Sequence, residues 1–218
     1  VNARGEQADG DSGNASISDD GNLVLFQSDA TNLVPGVTTP GHLYLRDMST
    51  GVVEPVCLSN GSMTVLANNG CQGGRLSRDG RYVVFNSEST NLLVTPDTNG
   101  SFDAFLRDRV SLRTIRLSSI GEGPASDGAS SVQAISADGR FVTFLSDASN
   151  LAGTPPGRAL VYQWDRSTPT ATPVLVSRGV AGAVPNDEVI DALGLSDDGR
   201  WIAFSSVASN LVPGDTNN

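Results

Sequence analysis

The chain has 218 residues, a mass of 22.6 kDa and a formal net charge of −10, from 24 acidic and 14 basic side chains. Hydrophobic residues make up 38% of the chain, which is typical of a folded domain and excludes a disordered segment. The acidic balance argues against a nucleic-acid partner, because phosphate binding needs clustered Lys and Arg. No apolar run approaches the roughly 18 residues that span a bilayer.

A short turn motif recurs four times along the chain at a nearly constant interval. It reads Ser-x-Asp-Gly, and each glycine is followed by Phe five residues later, Ser seven residues later and Asn eleven residues later. The interval of 59 or 60 residues between these glycines predicts a repeat architecture. The positions are Gly21, Phe26, Ser28 and Asn32; Gly80, Phe85, Ser87 and Asn91; Gly139, Phe144, Ser146 and Asn150; Gly199, Phe204, Ser206 and Asn210.

Each repeat is predicted to form four short antiparallel strands in chain order. An apolar run enters the Asp-Gly turn, and a strand with alternating polarity follows, as in 81–87 or 200–204. A loop rich in Thr, Asn, Pro and Gly leads to a third strand, a polar turn and a fourth strand. The third strands are 43–46, 104–107 and 160–163, the polar turns open at Asp47, Asp108 and Asp165, and the fourth strands end at Ser59, Ser118 and Ser177.

Four-stranded repeats of this kind predict an all-β fold, namely a β-propeller whose blades pack face to face. A single four-stranded sheet cannot bury both of its faces, and the repeated Phe would supply the core between blades. The repeats run approximately over 13–59, 72–118, 131–177 and 191–218, the last of them incomplete. We therefore expect part of a larger ring, with the remaining blades supplied by the same or another chain.

The repeated pattern Ser-x-Asp-Gly-Arg-aromatic, continued by Phe-x-Ser, resembles the TolB-like (WD40-like) PD40 propeller repeat. The resemblance spans essentially the whole chain and is fullest in 76–118; the first repeat departs from it with Asn22 in place of Arg. It implies a propeller fold and says little about function, because such propellers are scaffolds, partner-binding modules and peptidase accessory domains.

The two cysteines, Cys57 and Cys71, have a spacing that fits no compact zinc motif. They form either a disulfide or two unpaired thiols. A disulfide across about 15 residues would add about 3 kcal/mol in the chain-entropy model. Together with the low Lys content, it would suit a secreted, periplasmic or cell-surface protein.

The loop after the second strand of repeat two contains a candidate calcium site. Asp97, Asn99 and Asp103 place hard oxygen donors at the first, third and seventh positions, with a glycine that permits a sharp bend. The closing glutamate and flanking helices of an EF-hand are absent from the sequence. The alternative is a solvated turn with no ion.

The sequence favours a binding or scaffold module over an enzyme. The repeated Asp and Asn residues are interpreted as turn and loop caps, and the only histidine, His42, lies in a loop or at a strand start. We expect a protein or carbohydrate partner to bind the loops, at residues such as Phe102, Arg158, Asp187 and Glu188. The alternatives are an accessory or catalytic propeller of a secreted peptidase or glycan-active hydrolase, or a cell-surface assembly component.

Overall fold

A computed structural model describes residues 1–95, 97–121 and 123–215, with the backbone alone described at Ala192 and Leu193. Within these ranges the one helical segment is a 3-10 turn at Val180–Gly182. No helix in the described ranges has the length and apolar character needed to cross a membrane. The strands are β1 (Ser12–Ile17), β2 (Leu23–Ser28), β3 (His42–Asp47), β4 (Val53–Pro55), β5 (Gln72–Leu76), β6 (Tyr82–Ser87), β7 (Asp103–Asp108), β8 (Arg113–Arg116), β9 (Ser130–Ile135), β10 (Phe141–Ser146), β11 (Leu160–Asp165), β12 (Val174–Leu175), β13 (Val189–Leu195) and β14 (Ile202–Ser206).

The described strands form three four-stranded sheets and one two-stranded sheet. Strands that follow one another along the chain are neighbours in each sheet, in the orders β1-β2-β3-β4, β5-β6-β7-β8, β9-β10-β11-β12 and β13-β14. We call these sheets blades 1 to 4. Each sheet coincides with one sequence repeat, which confirms the predicted all-β architecture of antiparallel four-stranded blades with an incomplete fourth repeat.

The Asp-Gly turn between the first two strands of each blade is held by the serine of its own motif. In blade 2 the Ser77 hydroxyl donates to the Asp79 carboxylate (2.7 Å) and accepts from the Tyr82 amide (3.0 Å). Gly80 closes the turn at φ +66°, a left-handed conformation that glycine adopts without a steric cost. The repeated aspartate is therefore structural, as predicted. The same serine bonds recur at Ser18, Ser136 and Ser196.

The repeated asparagine ties the loop after the second strand to the segment that precedes the first strand. In blade 2 the Asn91 side chain donates to the Leu66 carbonyl (2.7 Å) and accepts from the Asn68 amide (3.0 Å). These bonds satisfy loop backbone groups, as the sequence predicted. The equivalent pairs of bonds are made by Asn32, Asn150 and Asn210.

A pair of stacked aromatic rings joins the second and third strands of each four-stranded blade. The ring centroids are 5.6–5.8 Å apart, a separation at which aromatic pairs attract beyond simple burial. Phe85 and Phe144 have no exposed surface, which confirms the predicted core role of the repeated Phe at these two positions. The pairs are Phe26–Tyr44, Phe85–Phe105 and Phe144–Tyr162.

The chain divides into two compact units. The first contains Val1–Thr98 and Phe105–Ile115, and the second contains Asn99–Ala104 and the residues from Arg116 onward. In the second unit, β13 packs against all three of β9, β10 and β11.

Within the first unit, blades 1 and 2 share one hydrophobic cluster. Leu25 and Leu43 of blade 1 lie in it together with Val83 and Phe85 of blade 2. Gly74 on β5 allows this close approach, because a Cβ there would stand 2.7 Å from the Leu25 side chain. The glycine therefore lets the first strand of blade 2 pack directly on the core of blade 1.

Cys57 and Cys71 form a disulfide between the end of blade 1 and the start of blade 2. Their Cα atoms are 6.4 Å apart, and both residues lie buried in the shared cluster. The sequence left open a disulfide or two unpaired thiols, and the structure contains the disulfide.

An arginine braces the polar turn between the third and fourth strands of blade 3. Arg140 Nε and Nη2 donate to the two Asp165 carboxylate oxygens (2.9 and 2.8 Å), and the guanidinium lies 4.6 Å from the Phe141 ring centroid. The hydrogen bond from Arg140 is the main reason that the pKa of Asp165 falls to about 2.

We expect this pair to make the stability of the protein depend on pH in the acid range. Because the folded pKa of Asp165 lies below its unfolded value of 3.8, its contribution is complete above that value and is lost as pH falls towards 2. Urea unfolding at a series of pH values measures this loss. The Asp165→Asn variant should show a shallower dependence, and an unchanged slope would contradict the assignment.

Candidate functional site

A polar cavity of about 570 Å³ opens between the first strands of blades 1 and 2, within the first compact unit. Half of its lining residues carry carboxamide side chains, which both donate and accept hydrogen bonds. Among the described residues of the lining, Arg75 alone carries a charge. The lining consists of Asn14, Ala15, Ser16, Gln27, Gln72, Gly73, Arg75 and Asn86.

β-Bulges in β1 and β5 shape the two walls of this cavity. The register of β1 shifts between Gly13 and Ser16, and that of β5 shifts at the matching position in the repeat. Asn14 in the first bulge has φ +52°, and Gly73 in the second has φ +69°. Asparagine and glycine are the residues that tolerate this left-handed backbone best. A β-bulge changes the direction in which neighbouring side chains point. Here both bulge residues, Asn14 and Gly73, line the polar cavity.

Contacts inside the lining hold some of these polar groups in place. The Asn14 side chain donates to the Gln27 side-chain oxygen (3.2 Å), and Arg75 Nη1 donates to the Gly74 carbonyl (3.0 Å). Asn86 is buried, and a Cβ on Gly73 would stand 2.7 Å from its amide nitrogen. Gln72 and Arg75 are exposed. The cavity therefore combines the buried carboxamide of Asn86 with the exposed guanidinium of Arg75.

No protein-family model matches the sequence, and no curated protein matches it either. Solved structures do match. A prolyl endopeptidase superposes with a TM-score of 0.54 at 13% identity, over 92% of this chain and 26% of that one. TolB from Acinetobacter baumannii gives a TM-score of 0.46 at 16% identity, over 89% of this chain and 37% of that one. The chain has a β-propeller fold.

Another match is the β-propeller domain of the Trilobed protease from Pyrococcus furiosus, with a TM-score of 0.44 at 9% identity. It covers 76% of this chain and 41% of that one. This propeller chain therefore spans less than half the length of each of the three proteins. At these identities the likeness concerns the fold alone.

The cavity residues of the propeller were not singled out from the sequence, although a signal for them exists. Gln27 and Asn86 both stand six residues after the turn glycine of their repeat, where the later repeats have Leu145 and Ser205. A carboxamide at the same offset in two successive repeats marks a local polar surface. Recognising it as a cavity required the bulges, which the strand pattern does not reveal.

The residues of the predicted calcium site each have protein contacts in the propeller. Asp103 is fully buried, accepts from the Ser118 hydroxyl (2.6 Å) and lies 3.1 Å from Arg116 Nε. Asn99 donates to the Ser126 carbonyl (2.7 Å), and Asp97 is buried. No group of three or more His, Cys, Asp or Glu suited to a metal occurs among the described residues. The calcium interpretation stays a prediction.

The predicted loop contacts differ in how accessible they are. Asp187 and Glu188 are exposed, and Phe102 is half-buried. Arg158 donates to the Pro185 carbonyl at 2.7 Å, so its guanidinium takes part in holding the propeller together. The structure does not bring these four residues into the polar cavity.

His42 lies inside the propeller, at the start of β3, with 1% of its surface exposed. One ring nitrogen, Nε2, is 2.8 Å from the Thr39 hydroxyl. Burial lowers the pKa of the imidazole, because the charged form would be poorly solvated. These contacts give His42 a structural role and keep it from a substrate bound at the surface.

Proposed function

We propose that this propeller is a binding module, and that the cavity between β1 and β5 holds a polar ligand that bears a carboxylate. The observation that carries the proposal is the lining itself, four carboxamides beside one exposed guanidinium in a volume of about 570 Å³. A cavity of this size falls within the range of small-molecule and peptide-end sites. Arginine suits a carboxylate because its planar fork can donate two parallel hydrogen bonds.

The propeller contacts favour binding over hydrolysis. The repeated serines could be mistaken for nucleophiles, but their hydroxyls form hydrogen bonds with backbone groups. The Ser87 hydroxyl donates to the Gly70 carbonyl (2.6 Å) and accepts from the Ser89 amide (3.1 Å). The single histidine of the sequence is buried. A Ser-His-Asp mechanism needs a histidine within reach of both the nucleophile and the substrate.

We further propose that the protein works outside the cytoplasm, in a periplasmic, secreted or cell-surface setting. The Cys57–Cys71 disulfide supports this location, since such bonds persist in oxidising compartments and are rare where thiols are kept reduced.

The ligand proposal predicts that triglycine with a free carboxylate binds the cavity and that triglycine amide binds more weakly. Nuclear magnetic resonance can follow the side-chain NH₂ signals of Asn14, Gln27, Gln72 and Asn86 during the titration. Arg75→Gln should weaken binding of the carboxylate form by about tenfold, because a hydrogen bond to a charged group is lost.

The matched control is Gln133→Ala, which removes a half-buried carboxamide from the first strand of blade 3. This variant should leave triglycine binding unchanged. A titration in which none of the four NH₂ signals moves would contradict the proposal. If maltotriose shifts those signals and triglycine does not, the cavity is a binding site but the carboxylate ligand is wrong.

A further inference from the structure

His42 contributes a buried imidazole that lies outside the lining of the polar cavity. Because 1% of its surface is exposed, residues of this chain already enclose the ring. Nε2 lies 2.8 Å from the Thr39 hydroxyl, whereas Nδ1 is buried and has no hydrogen-bond partner among the described residues. This arrangement suits the neutral ring, in which one of the two nitrogens carries no proton.

Protonation of His42 changes what the ring needs from its surroundings. The imidazolium has an N–H on both nitrogens, so that Nδ1–H becomes a donor without an acceptor. A charged donor that is buried and unpaired is much more costly than a neutral one. The protonated ring is therefore expected to leave its enclosed position or to open the segments around it.

Three carboxylates belong to the segments around His42. Ser28, which pairs with His42 across β2 and β3, donates its hydroxyl to the Asp11 carbonyl and is followed by Asp29. The side chains of both aspartates are exposed, and Glu88 of blade 2 is half-buried. Burial is the one cause that shifts the pKa of His42, and it lowers it. These carboxylates therefore do not hold a proton on the ring.

One link from His42 leads to the blade 1 wall of the polar cavity. The paired residue Ser28 has its hydroxyl 2.9 Å from the Ser12 hydroxyl of β1. Gln27, the residue before Ser28, lines the cavity. A displacement of His42 therefore acts on this wall through one intervening residue.

A second link leads through Gly41 to the blade 2 wall. The Cys71 amide donates to the Gly41 carbonyl (2.9 Å), and the backbones approach so closely that a Cβ on Gly70 would overlap this carbonyl. Gln72, the residue after Cys71, lines the cavity. Cys71 itself does not titrate, because it is in the disulfide. His42 thus adjoins a contact that positions the second wall.

We propose that His42 is a positioning residue whose protonation weakens ligand binding in the cavity between β1 and β5, so that the propeller releases its ligand in mildly acidic surroundings. This inference rests on the function proposed above. The neutral ring keeps both walls in the binding geometry, and the protonated ring does not. By linkage, a bound ligand must in turn favour the neutral ring.

The imidazole signals of the single histidine give the first measurement, which needs no ligand. Nuclear magnetic resonance from pH 7.5 to pH 5 should show the ring titrating below its ordinary pKa of 6.5. The amide signals of Gln27 and Gln72 should shift with the same midpoint, and His42→Gln should abolish those shifts. A ring that stays neutral down to pH 5, or two amides that do not follow it, would overturn the proposal.

Triglycine titrations at pH 7 and pH 5 test the effect on binding, since the triglycine carboxylate stays ionised over this range. We expect the Kd of the wild type to rise at least about fivefold at pH 5, and that of His42→Gln to rise less than about twofold. Saturating triglycine should also move the midpoint of the ring to lower pH, a result that requires no variant. The matched control is Asp29→Asn, which removes a neighbouring carboxylate and should keep the wild-type dependence on pH.

The outcomes separate this inference from the ligand proposal. An equal rise of Kd in the wild type and in His42→Gln, or loss of the rise in Asp29→Asn, would show that His42 is not the switch. If triglycine binds at neither pH while the ring and the two amides titrate together, the ligand is wrong and the link from His42 to the cavity walls is supported.

Discussion

Replacing Arg116 by leucine should lower the free energy of unfolding by about 3–5 kcal/mol, because it leaves the Asp103 carboxylate buried without its cation. The side chains of the two residues are 4% and 1% exposed, and Arg116 Nε lies 3.1 Å from the Asp103 carboxylate. Urea unfolding followed by tryptophan fluorescence measures the change.

The carboxylate of Asp103 is the centre of this polar cluster. It accepts from the Ser118 hydroxyl (2.6 Å) and the Ser126 hydroxyl (3.1 Å), and Ser118 in turn accepts from the Ala104 amide (3.1 Å). These bonds orient the carboxylate but do not neutralise it. Removing Arg116 therefore costs more than the loss of one exposed ion pair, for which values below about 1 kcal/mol are usual.

Blade 3 supplies the control, because it has Leu160 and Leu175 at the positions that correspond to Asp103 and Arg116. Both leucines are buried. Adding Asp103→Leu to the Arg116→Leu variant should restore much of the lost stability, since a buried pair replaced by apolar residues is often neutral. If the double variant is less stable than the single variant, the unpaired charge is not the cause of the loss.

The repeat explains how much of the fold could be predicted from the sequence. The Asp-Gly turns and the repeated Asn make local contacts, so their offsets alone indicate their roles, as for Asp79 and Asn91. Each of these contacts is local or joins neighbouring strands, and such contacts recur wherever the spacing recurs.

The candidate cavity could not be predicted in the same way. It depends on bulges at Asn14 and Gly73, where the alternation of a regular strand is interrupted. At Asp103 the sequence pattern points to a role that packing changes. Its spacing in the loop suggests a calcium ligand, whereas the folded chain buries it beside Arg116. Spacing predicts which residues recur; it does not predict which neighbours fold onto them.

Removing the Cys57–Cys71 disulfide should lower the free energy of unfolding by about 3 kcal/mol, because the unfolded chain is released from a closed loop. The two residues are 14 positions apart in the sequence, and both lie in the hydrophobic cluster shared by blades 1 and 2. Unfolding of the wild-type protein with and without reductant, and of the Cys57→Ala/Cys71→Ala variant, measures the effect. Reductant should destabilise the wild type and leave the variant unchanged.

A second double variant separates the covalent link from the packing. The positions that correspond to the cysteines hold Arg116 and Ser130 after blade 2 and the buried pair Leu175 and Val189 after blade 3. Cys57→Leu/Cys71→Val copies the apolar version. If the disulfide stabilises through the unfolded state, this variant should remain less stable than the oxidised protein although it restores buried apolar surface. Equal stability of the two would show that the junction needs volume and not a covalent bond.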